Sequence, residues 1–185
     1  MSLIDNLGED SMENPEGELD KLIARIYKTE KYPVSDQFVV SDQLANQFAK
    51  EIAENCGVKA KNLNCRDCHY CYTIEITGKN LESDIQTNDL RMYLALSKLG
   101  NYAMIYWSVL KTRSFAFRRF DEFEPPDNFS QEAANCIEGI AATFGITVLK
   151  ADVLREKYKV DYQGPIAGID RNPEIWKLVF AEELH

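Results

Sequence analysis

Two histidines, His69 and His185, are all that the 185 residues contain. Histidine is the usual general base near neutral pH, so chemistry built on a positioned imidazole has almost nothing to draw on. No glycine-rich turn joins a strand to a helix, which removes the dinucleotide-binding and phosphate-cradling fingerprints. No apolar run approaches the ~20 residues that a membrane-spanning helix needs, so no membrane association is expected. No base precedes Lys21, whereas a secretory signal starts with bases followed by an apolar stretch. The expectation is a cytoplasmic chain whose five cysteines are reduced thiols.

What is present is ordinary for a folded protein: 45% apolar and 28% charged residues, at a length that buries a core without metal or disulfide staples. Residues 1–13 lack periodicity and read as a flexible acidic leader, leaving 14–185 as one domain. The net charge of -9 divides unevenly. Residues 1–20 hold seven acids, which leaves 23 acids against 21 bases for the remainder, close to neutral. From Arg91 to Arg119 there are six bases and no acid, and then Asp121, Glu122, Glu124 and Asp127 follow at once.

Apolar periodicity supplies the elements. Asn14-Pro15 opens a helix whose stripe is Leu19, Leu22, Ile23, Ile26 and Tyr27. Ser41 or Asp42 caps a second, carrying Leu44, Ala45, Phe48, Ala49, Ile52, Ala53 and Cys56 on one face and stopped by Gly57. Between them VSDQFVV reads as a short edge strand. HYCYTIEITG alternates as a half-buried strand should, with Tyr70, Tyr72, Ile74 and Ile76 on one side. DLRMYLALSKLG is read as a helix on its Leu, Met and Ala content, although residues 89–99 also suit a strand.

The stretch Asn101 to Phe123 organises the rest. NYAMIYWSVL is apolar on both faces, as a central strand is, and SFAFRRFDEF reads as its neighbour. After the EPPDN break a helix runs from Asn128 to the stop at Gly145, then ITVLK is a strand and ADVLREKY a short helix. Residues 173–184 suit helix or strand equally. Together these predict an α+β fold, an antiparallel or mixed sheet with helices packed mainly on one face.

Three stretches have chemical interest. NCRDCHYC spaces Cys65, Cys68 and Cys71 three apart, a pattern in which thiolates can converge on a soft metal, with Cys56, His69 or Cys136 as a fourth ligand. The second CxxC of a structural zinc site is missing, and Cys68 and Cys71 point to opposite sides of a strand. The same residues match the letter of a c-type haem attachment motif, without the export signal that such attachment requires. CxxC redox centres sit at helix starts, and this one leads into a strand. The basic segment 91–119, with Tyr102, Tyr106, Trp107, Phe115 and Phe117 interleaved, has the ingredients of a single-stranded nucleic-acid platform, and Arg113, Arg118 and Arg119 are its candidate binding residues. The acid block beside it argues against phosphate binding. Thirty carboxylates offer many pairs, but no spacing selects one.

No catalytic residue, cofactor or metal is therefore expected. The expected function is that of a non-catalytic, bacterial-type protein-protein interaction protein, for instance a small acidic inhibitor or immunity-type protein that neutralises a basic partner. A metal-binding or redox module at Cys65, Cys68 and Cys71 and a nucleic-acid binder at 91–119 are the alternatives.

Overall fold

The computed structural model describes residues 15–28, 38–63, 70–78, 90–109, 120–126, 128–160 and 171–180. Along the chain these form α1 (Pro15–Tyr27), α2 (Asp42–Asn55), β1 (Lys59–Asn62), β2 (Cys71–Thr77), β3 (Leu90–Ser97), β4 (Tyr102–Val109) and β5 (Phe120–Glu122). Then come α3 (Asn128–Thr143), β6 (Thr147–Val148), α4 (Ala151–Arg155) and α5 (Ile175–Phe180). The first five strands pair antiparallel in sequence order. β6 joins the start of β4 in parallel, so the edge of β4 away from β3 is shared by β6 at Tyr102–Ala103 and β5 at Trp107–Val109. The fold is α+β with a mixed sheet, as the pattern of elements predicts.

The layers differ from expectation. Instead of lying mainly on one face, the helices cover both. Alternation along β4 sends Tyr102, Met104 and Tyr106 into a core with α1, α5 and Leu154 of α4, while Ala103, Ile105 and Trp107 enter a second core with α2 and α3. The central strands are apolar on both sides, and burying both sides takes a helical layer on each.

The same physics overturns the helix expected over 89–99, which is β3. Met92, Leu94 and Leu96 face the second core, and Ala95 faces the first. A strand buried on both faces loses its polar alternation, so Leu and Met content pointed to helix, and pairing to β2 and β4 along its whole length decided otherwise. β1, with sequence KAKN, carries no apolar alternation and is a strand through its register with β2. Tyr72, Ile74 and Ile76 share a face as expected, but Tyr70, just before β2, belongs to the opposite core. Of the expected strand VSDQFVV, only Phe38–Val40 is described, and it is not a strand, although the Val39 and Val40 amides donate to the Lys98 carbonyl. Of SFAFRRFDEF, only Phe120 to Phe123 is described, and β5 takes its first three residues.

Local signals hold the helices in place. Ser41 Oγ accepts from the Leu44 amide at 3.2 Å, and Gly57 at φ 65° turns the chain out of α2. Gly145, at φ 67°, does the same after α3. The ambiguous segment 173–184 supplies helix α5, whose last carbonyls are capped from the first core. The Tyr27 hydroxyl donates to the Leu178 carbonyl at 2.7 Å, and Ser97 Oγ donates to the Val179 carbonyl at 2.9 Å.

Candidate interaction surface

At one end of the sheet β1 and β3 finish, β2 and β4 begin, and α2 starts. Asn62, the last residue of β1, ties that end to α2 by donating hydrogen bonds from its side-chain Nδ2 to Asp42 Oδ1 at 3.3 Å and Asn46 Oδ1 at 3.0 Å. The Leu63 amide extends the ladder to the Thr73 carbonyl, and the Lys98 amide extends it to the Tyr70 carbonyl. Phe38 to Val40 lie across the same end, bonded to Lys98 and receiving the Tyr72 hydroxyl on the Val40 carbonyl at 3.3 Å.

This arrangement leaves apolar side chains in water. Val39 is 64% exposed and Leu63 40%, and they are the only large hydrophobic residues so exposed among those whose side chains are described. At the same end the Lys98 ammonium sits 5.0 Å from the Tyr72 ring centroid and 5.5 Å from that of Phe38, a cation held between two aromatic faces. Burial, and after it the nearby Asp42 carboxylate, push the Tyr72 phenol above its usual range, so it remains a neutral donor to Val40.

Arg113, Arg118 and Arg119 lie outside the described residues, as do Cys65, Cys68 and His69. Of the other bases in the 91–119 segment, Arg91 is engaged by Glu75 at 2.9 Å, a hydrogen bond that raises its guanidinium pKa and fastens its charge, and Lys98 is the cation described above. Tyr102, Tyr106 and Trp107 are buried in the two cores, Tyr106 stacked on Tyr93 with centroids 5.3 Å apart. The Trp107 indole N–H has no hydrogen-bond partner among the described residues.

Two of the cysteines depart from the reduced state expected of them. Cys56 and Cys136 form a disulfide with Cα atoms 5.8 Å apart, because the end of α2 crosses the middle of α3 on the second face. Each is a candidate fourth metal ligand by sequence, and each is taken up by the other. Cys71 is a buried thiol on the α1 side of β2. No group of three or more His, Cys, Asp or Glu able to hold a metal occurs among the described residues. No helix there is long and apolar enough to cross a membrane.

Fold and surface together define an α+β protein whose most distinctive exposed feature is the apolar, aromatic end of its sheet. Comparison of the chain with family models, curated proteins and solved structures finds no match.

Proposed function

We propose that this is a non-catalytic interaction protein that docks a protein partner on the sheet end bearing Phe38, Val39, Leu63, Tyr72 and Lys98. The observation that carries the reading is the pair Val39 and Leu63, left in water at the end of the sheet that also bears a ring-clamped ammonium. An apolar centre with aromatic rings and one oriented cation is the composition of an interface core, and a partner presenting aliphatic side chains around a carboxylate complements it. The narrower reading, an acidic inhibitor or immunity-type protein, draws on the seven acids of residues 1–20 and calls for a basic partner. Salt separates the two. Docking on the sheet end depends weakly on ionic strength, whereas capture of a basic partner weakens steeply as salt rises.

The test is purification of the full chain from its native cell, with mass spectrometry of what elutes, beside the double variant Val39→Asp, Leu63→Asp. A stoichiometric protein that the wild type retains and the equally well folded variant loses supports the proposal. Retention by the variant would remove the sheet end as the docking site. Nucleic acid alone in the eluate would make the 91–119 segment the leading alternative.

A further inference from the structure

The Cys56–Cys136 disulfide closes 80 residues of chain, yet the helices that it joins do not depend on it for contact. Phe48 of α2 packs on Phe144 with ring centroids 5.3 Å apart, and Ile52, Ala133, Ile137 and Ala141 share the same buried core. Both cysteines are only partly buried, and Cys56 lies between the exposed residues Asn55 and Gly57 at the end of its helix. The surroundings are bare as well. Gly57 follows Cys56 and is required by its positive φ, but Gly139, three residues beyond Cys136 and so beside it on α3, has no such requirement. A Cβ at Gly139 would meet nothing within 4 Å. Glycine inside a helix is unfavourable relative to alanine, and no close neighbour demands it there. Its effect is to leave the helix surface next to Cys136 open to a small molecule.

We propose that Cys56–Cys136 is a reversible thiol–disulfide site that exchanges with a small thiol of the glutathione class, the fold persisting in both states. In the reducing direction a glutathione thiolate attacks Cys136 Sγ, the sulfur beside the open surface at Gly139. A mixed disulfide forms, the Cys56–Cys136 bond breaks, and Cys56 leaves as a thiolate that takes a proton from water. A second glutathione thiolate attacks the glutathione sulfur of the mixed disulfide, releasing Cys136 as thiolate and oxidised glutathione. Two electrons pass to the protein and two glutathione molecules are oxidised. The oxidising direction is the same sequence reversed, with oxidised glutathione as the oxidant.

The experiment equilibrates the full chain with glutathione buffers of graded ratio, quenches in acid, alkylates, and follows the Cys56 and Cys136 peptides by mass spectrometry, with circular dichroism in parallel. Both cysteines should become alkylated together over the glutathione range and protect again in oxidised glutathione, with an unchanged circular dichroism spectrum. Gly139→Leu should slow the exchange several-fold in a protein that remains folded. Three results would overturn the proposal: resistance to millimolar glutathione until denaturant is added, loss of the folded spectrum on reduction, or failure to reoxidise. An unchanged exchange rate in Gly139→Leu would also count against it, by removing the access on which it rests.

Discussion

Replacing Tyr27 by phenylalanine separates two consequences of one buried hydroxyl. The group donates to the Leu178 carbonyl at 2.7 Å, in the last turn of α5, where helix carbonyls have no partner of their own. Without it that carbonyl stays buried and unsatisfied, at a cost of about 1–3 kcal/mol, and the melting temperature falls by about 2–4 °C for each kcal/mol. The second consequence has the opposite sign. Burial, with a smaller contribution from Tyr70, raises the Tyr27 phenol far above its ordinary value.

The folded protein therefore holds this proton while the unfolded chain releases it near about pH 10, so above that pH the unfolded state binds fewer protons. Stability from the neutral phenol is complete below about pH 10 and is lost at about 1.4 kcal/mol per unit above it. Phenylalanine has nothing to lose. The wild-type advantage should thus be constant from neutral pH to about pH 9, shrink above about pH 10, and approach zero or reverse by about pH 12. Tyr72, Tyr102 and Tyr158 are also raised by burial, but they are common to both proteins and cancel in the difference. Urea unfolding followed by circular dichroism across this range measures it. A stability gap that stays constant with pH would refute the reasoning, since loss of packing alone has no reason to titrate.

Ser97→Ala should cost about 2–3 kcal/mol in urea midpoint terms, because its fully buried Oγ both donates to the Val179 carbonyl and accepts from the Leu99 amide. The double variant Cys56→Ser, Cys136→Ser should fold and melt lower than the oxidised wild type. An 80-residue loop sets the loss at no more than about 4.5 kcal/mol, or roughly 9–18 °C by calorimetry. Ile137→Ala, at a fully buried position between α3 and the sheet, should lose about 2–5 kcal/mol by urea titration. Fluorescence anisotropy with single-stranded RNA or DNA should show no salt-sensitive binding near physiological ionic strength. Binding that weakens steeply with salt and vanishes in Arg113→Ala, Arg118→Ala, Arg119→Ala would reverse that expectation.

Elements whose signals are local could be read from the chain. Ser41 capping α2, Gly57 and Gly145 ending α2 and α3, and the Leu19 to Tyr27 stripe of α1 all act within a few residues, so sequence alone determined them. The two-sided apolar pattern of β4 likewise marked a strand with neighbours and a core on each side. Elements defined by their partners could not be read. β3 is a strand because β2 and β4 bond it along its length, β1 because β2 does, and α5 is helical at a place where the Tyr27 and Ser97 hydroxyls donate to its carbonyls.

The candidate surface belongs to the second kind. Val39 and Leu63 are 24 residues apart in sequence and have unremarkable neighbours. They become one exposed end only when the Val39 amide bonds to Lys98 and the Leu63 amide to Thr73. The Cys56–Cys136 pair is likewise set by where α2 crosses α3, for which spacing along the chain carries no information. Caps, stops and apolar stripes are decided by contacts over one or two turns, and the sequence contains them. Exposure, strand pairing and disulfide partnership are decided by which distant residues meet, and tertiary structure alone supplies that.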